Sequence, residues 1–194
     1  MRPLSMFNVQ WCLFCTLILV VFDVGAQPVD KNYLLGRFNP DTNSRFAKIP
    51  AEYSTGSANG GWLREEALKA FSKMRAAAKK EGVVLTIISA TRNFESQKKI
   101  WENKWTGKTL VGGKNLTLIS DSAARAKIIL QYSSMPGSSR HHWGTDMDLN
   151  SLDNSYFEAG EGLQVYQWLQ KNAAAFGFCQ PYTSKLQKIG RAHV

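Results

Sequence analysis

Residues 138–148 read SSRHHWGTDMD, the densest cluster of polar residues in the chain. The cluster contains two of the three histidines and two aspartates, between a stretch rich in Ser, Gly and Pro and a short apolar run. Zn²⁺ in proteins is bound by imidazole nitrogen and carboxylate oxygen. His141 on a loop and Asp148 on a strand can converge on one ion, because Gly144 lets the chain turn between them. The alternative is a solvent-exposed loop whose polar side chains bond to one another.

A second informative segment lies upstream, where residues 89–97 read SATRNFESQ. It follows the apolar, β-branched run at 83–89, which is typical of a buried strand. Arg92 therefore lies just after a strand end, where its planar guanidinium can bind a carboxylate through two hydrogen bonds. The alternative role for Arg92 is a structural salt bridge.

The spacing of apolar residues predicts the secondary structure around these two segments. We expect helices at 62–80, 94–105, 121–132 (with Asp121 as N-cap) and 161–176. Strands are expected at 83–89 and 147–149, with another beginning at 178–182. The remaining segments are predicted to be an extended arm at 28–49 and loops at 108–118 and 133–140. Helices and short strands in this irregular order predict one α+β domain, with a small sheet flanked by helices.

The first 26 residues read as a secretory signal rather than as part of the fold. Arg2 is followed by an apolar run of about a dozen residues and then by Val-Gly-Ala at 24–26, small residues that a signal peptidase accepts. The run is shorter than the roughly 20 residues needed to span a bilayer, so we expect an exported protein with no stable membrane span. Cys12 and Cys15 lie inside this signal. Cys179 is left alone, and we expect it to be a buried apolar residue rather than a nucleophile.

The chain carries a net charge of +9, and this charge does not identify a partner. Nucleic acid is one reason for a basic protein. The lysines are scattered over predicted helix faces, however, as solvated side chains usually are, so we expect no nucleic-acid partner. An exported basic protein could also be attracted to an anionic cell wall.

The two polar segments together resemble a known family. Ser139-x-His141-x-x-Gly144-x-x-x-Asp148 is similar to the S-x-H-x-x-G-x-x-x-D signature of the zinc D-Ala-D-Ala carboxypeptidases, which include the vancomycin-resistance peptidases. The segment after the strand resembles the family's G-Y-R-S-x-x-x-Q. The two segments stand in the family's order, about fifty residues apart, and the resemblance covers most of residues 33–182.

The resemblance implies a DD-peptidase/hedgehog-like zinc fold and a role for each matching residue. His141 and Asp148 are implied as Zn²⁺ ligands, and Arg92, Gln97 and Ser139 as substrate-binding residues. His142 and Asp146 fall at non-ligand positions. The position of Asp146 is often alanine in relatives, so we expect this second acid either to support His141 or to face solvent.

The family's third zinc ligand and its general base are expected in an E-x-x-H segment near the C-terminus. No such segment follows Asp148, since Gly190 lies three residues before His193, the only later histidine. The final residues IGRAHV also match what a sequencing adapter would encode. We therefore expect a truncated carboxypeptidase-like domain at 27–188, incomplete at the C-terminus, and a non-native tail at 189–194. The alternative is a genuine tail with His193 as an unusual ligand.

The resemblance implies a Zn²⁺-dependent carboxypeptidase that removes the terminal D-amino acid from peptidoglycan stem peptides outside the cytoplasm. The chain as written has two ligands and no base, so we expect it to be inactive. Two alternatives remain open. One is an LD-carboxypeptidase or peptidoglycan endopeptidase on the same scaffold, and the other is a non-catalytic protein that binds the cell wall.

Overall fold

The computed structural model describes residues 30–181. The expected signal peptide at 1–26 and the expected tail at 189–194 lie outside the described residues. Within residues 30–181, no helix is long and apolar enough to cross a membrane.

Five α-helices, seven short 3₁₀ helices and four short strands make up the regular structure of the described residues. The helices are α1 (Lys31–Leu34), α2 (Glu65–Lys80), α3 (Phe94–Trp105), α4 (Ser122–Leu130) and α5 (Gly160–Asn172). The strands are β1 (Phe46–Lys48), β2 (Trp62–Arg64), β3 (Ile87–Ser89) and β4 (Asp148–Leu149). β1 pairs antiparallel with β2, and β3 pairs antiparallel with β4. This helix-rich arrangement with small antiparallel sheets confirms the predicted α+β class.

Helix α2 provides the long apolar face that the sequence predicted, but it begins three residues later than expected. Residues 62–64 form β2 instead, with Trp62 opposite Lys48 and Arg64 opposite Phe46. Their side chains alternate between buried and half-buried, which is the pattern of a strand. The arm predicted at 28–49 is not simply extended, because this segment contains both α1 and β1.

The strand predicted at 83–89 is shorter in the structure, where only Ile87–Ser89 belongs to the ladder. The side chain of Asn150 holds the residues that precede β3. Its Nδ2 donates to the carbonyl oxygen of Val84 at 2.8 Å, and its Oδ1 accepts from the amide of Thr86 at 3.3 Å. A side chain therefore replaces part of the expected ladder. This ladder positions the functional site, because β3 leads into Arg92 and β4 begins at Asp148.

The main core lies where α2 and α5 pack against β3 and β4, and a smaller apolar cluster lies between α3 and α4. The prediction for α3 is confirmed at both ends, and Asp121 caps α4 by accepting from the amide of Ala123. Two predictions at the end of the described chain are wrong. Residues 178–181 form no strand, and Cys179 is exposed, because Phe178 takes the buried position beside it.

Candidate metal and substrate site

The residues of the polar cluster are carried by a short 3₁₀ helix, Arg140–Trp143, that ends at Gly144. Gly144 has a φ of +76°, which an L side chain rarely adopts. A Cβ atom at this position would also lie 2.3 Å from a ring carbon of Phe46. Both backbone conformation and space therefore require glycine, which agrees with the turn predicted from the sequence.

The structure brings His141 and Asp148 together. Nδ1 of His141 lies 2.9 Å from the carbonyl oxygen of Ala90, and because a carbonyl oxygen only accepts, Nδ1 carries the hydrogen. Nε2, the other ring nitrogen, lies 3.6 Å from Oδ2 of Asp148. Both side chains are buried, with residue exposures of 4% for His141 and 2% for Asp148.

The donor pair fits Zn²⁺. In the neutral imidazole Nε2 carries a lone pair, so two electron-rich atoms face each other in a buried site, an arrangement that a cation or a proton between them stabilises. Two ligands about 2.0–2.1 Å from one tetrahedral ion are separated by roughly 3.4 Å, close to the observed distance. The hydrogen bond from Nδ1 to a backbone carbonyl is the usual way in which a metal-binding histidine is oriented.

Two ligands do not complete a zinc site. No group of three or more His, Cys, Asp or Glu side chains suited to a metal occurs within residues 30–181. The expected third ligand is therefore not found in the part of the chain that the structure describes.

His142 is a structural residue, as its non-ligand position in the motif predicts. Its Nδ1 donates to the carbonyl oxygen of Arg92 at 2.5 Å, and its Nε2 accepts from the amide of Gly137 at 3.0 Å. Both nitrogens are satisfied in the neutral ring. Burial lowers the pKa of His142, and the positive charge of Arg92 lowers it further, although the bond to the Arg92 carbonyl acts in the opposite direction.

Arg92 lies beside this pair of histidines. Its amide donates to the carbonyl oxygen of His141 at 3.1 Å, and its own carbonyl accepts from His142. The positive charge of its guanidinium also contributes to the lowered pKa of His142. The residue is half-buried, so it can reach both the protein and a bound molecule.

The other two predicted substrate-binding residues are buried. Gln97 is 1% exposed, and its Nε2 donates to the carbonyl oxygen of Ser134 at 2.6 Å, so this half of the amide holds the loop before the polar cluster. Its Oε1 is buried without a hydrogen-bond partner among the described residues. Ser139 is also buried, and its carbonyl accepts from the amide of His142 at 3.0 Å.

Sequence reasoning missed an ion pair that closes this segment. Nε and Nη2 of Arg140 lie 2.7 and 2.6 Å from Oδ2 of Asp146. Both expectations for Asp146 are therefore wrong. It bonds to Arg140 rather than to His141, and it does not simply face solvent. The available signal was an Arg and an Asp on either side of a glycine turn, a spacing that lets their side chains meet across the turn.

Comparisons with known proteins identify the family to which the chain belongs. The family model described as VanY, D-alanyl-D-alanine carboxypeptidase, matches residues 60–193. The Bacillus subtilis protein YodJ, whose name describes it provisionally as a carboxypeptidase, is 32% identical over 131 residues, or 66% of this chain and 42% of YodJ. A D-alanyl-D-alanine carboxypeptidase of Enterococcus faecalis is 30% identical over 107 residues, or 55% of this chain and 35% of that protein. The chain thus spans less than half the length of these two curated relatives.

Solved structures of similar fold include two peptidases. The LD-carboxypeptidase LdcB matches with a TM-score of 0.59 and 25% identity, over 81% of this chain and 69% of the other. A zinc(II) complex of a mutant vancomycin-resistance D,D-pentapeptidase VanY matches with a TM-score of 0.52 and 26% identity, over 73% of this chain and 75% of the other.

Proposed function

Because the chain belongs to the VanY family of D-alanyl-D-alanine carboxypeptidases, we propose that it supplies two metal ligands and the substrate arginine of a Zn²⁺-dependent carboxypeptidase that acts on peptidoglycan stem peptides outside the cytoplasm. The observation that carries the zinc proposal is the 3.6 Å approach of His141 Nε2 to Asp148 Oδ2 in a buried site. The zinc(II) complex of the similar D,D-pentapeptidase supports the choice of metal. The name of the Enterococcus relative supports D-alanyl-D-alanine as the substrate class.

His141 and Asp148 would hold the ion. When bound, Zn²⁺ acts as a Lewis acid that polarises the scissile carbonyl group. Ala90 keeps His141 in the tautomer whose Nε2 is free of hydrogen, because its carbonyl oxygen accepts from Nδ1. The proton of Nδ1 is thereby fixed away from the metal position.

Arg92 would bind the terminal carboxylate of the peptide and so select a C-terminal residue for removal. Its position supports this role, because its backbone bonds to both histidines and the residue is half-buried. A guanidinium can form two parallel hydrogen bonds with a carboxylate, which fixes the orientation of the peptide end. Ser139 and Gln97, which the motif implies as substrate-binding residues, are buried and would act on the peptide indirectly, by holding the 3₁₀ helix and the loop before it.

The residues assigned here supply two ligands and no general base. No E-x-x-H segment follows Asp148 in the sequence, and none of the described residues completes a group of three ligands. We therefore expect the 194-residue chain by itself to bind zinc weakly and to release no D-amino acid.

A second candidate is an LD-carboxypeptidase, which removes D-alanine from a stem peptide whose preceding residue has the L configuration. The likeness to LdcB favours it. The two candidates differ in the residue that they accept before the scissile bond, so paired synthetic peptides that end in D-Ala-D-Ala and in L-Lys-D-Ala distinguish them.

The test uses the full product of the natural gene and the 194-residue chain side by side. We expect the full product to release D-alanine from the D-Ala-D-Ala peptide, to lose this activity with a chelator and to regain it with Zn²⁺. Replacing His141 with Ala should abolish the activity. Hydrolysis that survives both chelation and His141→Ala would refute the metal assignment, and equal turnover by the 194-residue chain would refute the expected inactivity.

A further inference from the structure

The N-terminal arm contacts the 3₁₀ helix that carries His141. The hydroxyl of Tyr33, on α1, donates to the carbonyl oxygen of Trp143 at 2.6 Å. In return, Nε1 of Trp143 donates to the carbonyl oxygen of Leu34 at 3.3 Å. Two residues of the arm are thus bonded to the last residue of the 3₁₀ helix, two positions after His141.

Tyr33 is itself firmly held. It is 7% exposed, its ring stacks on Phe38 with centroids 5.3 Å apart, and the guanidinium of Arg45 lies 4.4 Å from the ring centroid. Nη1 of Arg64 donates to the Tyr33 hydroxyl at 3.4 Å. Since a guanidinium can only donate, the hydroxyl hydrogen remains available for the Trp143 carbonyl.

The arm also approaches the 3₁₀ helix through Gly36. A Cβ atom at Gly36 would lie 2.5 Å from the ring of His142, so the arm backbone packs directly on that ring. The arm residues that make these contacts lie outside the part of the chain that the family model matches, which begins at residue 60.

A four-residue 3₁₀ helix has poor hydrogen-bond geometry and depends on bonds from outside. Three of these bonds are made to backbone carbonyls of residues 141–144: the Arg92 amide donates to the His141 carbonyl, the Tyr33 hydroxyl to the Trp143 carbonyl, and the Arg64 amide to the Gly144 carbonyl. The Tyr33 bond is made by a side chain, so a substitution can remove it without altering the backbone.

We propose that Tyr33 is a positioning residue for the metal site, because its bond to Trp143 keeps His141 in the arrangement that binds Zn²⁺ even before the ion arrives. This inference rests on the proposed function. Without the bond, the 3₁₀ helix of the metal-free protein samples other arrangements, and binding must first restore the correct one. Loss of one hydrogen bond of this kind shifts the equilibrium between these arrangements by about three- to tenfold, so metal affinity decreases by at most about tenfold.

The chain offers a matched control in Tyr53. Its hydroxyl is bonded to Ser72 Oγ at 3.0 Å, its ring packs edge-on against Phe71, and Arg75 lies 4.7 Å from its ring centroid. Tyr33→Phe and Tyr53→Phe therefore each remove one hydroxyl from a partly buried tyrosine that lies under an arginine, and only the first touches the segment of His141.

The experiment measures Zn²⁺ affinity by chelator competition in the full gene product, well below the melting temperature, together with amide hydrogen exchange of residues 139–148 in the metal-free protein. A bond that only stabilises the fold cancels from the affinity, because it is present with and without metal. We expect Tyr33→Phe to bind zinc more weakly, by up to about tenfold, and to exchange faster at 139–148, and Tyr53→Phe to match wild type in both.

Equal affinity and equal exchange in the two variants would overturn the positioning role. If wild type bound no zinc, the proposed function would fail, and the exchange measurement would still decide whether Tyr33 holds the segment. Unchanged exchange in Tyr33→Phe would then reject the inference independently.

Discussion

Ser89 and Asp148 lie directly opposite each other in the antiparallel ladder of β3 and β4. This pairing joins the two polar segments, which are about fifty residues apart in the sequence. The strand end that follows Ser89 then bonds to the histidines through its backbone: Ala90 accepts from the His141 ring, and Arg92 accepts from the His142 ring. One short ladder therefore brings the proposed metal ligands and the proposed substrate arginine to the same place.

Asp148→Asn should weaken Zn²⁺ binding by more than about 100-fold, because loss of a residue that merely supports a ligand already costs 10- to 100-fold. The substitution keeps the size of the side chain and removes its charge. Asp121→Asn, at the exposed N-cap of α4, is the control and should bind as wild type does. Zinc affinity by chelator competition measures both. Wild-type affinity in Asp148→Asn would exclude this residue as a ligand.

Arg92→Lys should lower kcat/KM on a D-Ala-D-Ala peptide by about 1–3 kcal/mol of transition-state binding, because an ammonium keeps the charge but not the bidentate geometry. Steady-state kinetics of the full gene product give this value. Arg75→Lys is the control. Arg75 bonds to the carbonyl oxygens of Leu85 and Glu52, so its replacement should lower stability and leave kcat/KM unchanged. Equal kinetics in the two variants would remove Arg92 from the substrate site.

Gly144→Ala should destabilise the protein by about 2–5 kcal/mol, the sum of left-handed backbone strain and overpacking against Phe46. Gly82→Ala separates the two effects. Gly82 also has a positive φ, +78°, but a Cβ atom there meets nothing within 4 Å, so only the strain of about 1–2 kcal/mol is expected. Chemical denaturation measures both variants. Equal losses would show that the contact with Phe46 relaxes at little cost.

Much of this site was predictable from residue types, and the rest was not for a physical reason. The motif residues and the extent of α3 could be read from side-chain chemistry and apolar spacing. The positions of β1 and β2 could not, because three-residue strands carry too little periodicity to distinguish them from a helix start. The bonds made by Ala90 and Arg92 to the histidines use backbone carbonyls, which every residue type possesses. Nothing in the sequence pattern therefore marks them.

Arg140 and Asp146 should show a favourable coupling of about 0.5–1.5 kcal/mol in a double-mutant cycle of Arg140→Gln and Asp146→Asn, measured by chemical denaturation. The estimate exceeds that of most surface pairs because both Nε and Nη2 contact one carboxylate oxygen and the acid is largely buried. The pair of Lys98 and Glu102 on α3, whose charged atoms lie 3.8 Å apart, is the control and should couple by about 0.5 kcal/mol or less. Equal coupling energies would mean that the Arg140 pair does not stabilise the turn.

His142 should make the metal-free protein less stable in mild acid. Its pKa is lowered in the folded state, mainly by burial, whereas in the unfolded chain it titrates near 6.5. As the pH falls below about 6.5 the unfolded chain binds a proton that the folded protein does not yet accept, so the free energy of unfolding decreases until the pH passes the folded pKa. One such group contributes a slope of at most about 1.4 kcal/mol per pH unit.

His142→Gln removes this titration and leaves the buried His141 and Asp148 pair in place, so the contribution of that pair cancels from the comparison. Unfolding free energies of both proteins, measured with a chelator between pH 5 and 8, should diverge in slope only on the acid side. Parallel curves would show that His142 titrates alike in the folded and unfolded states.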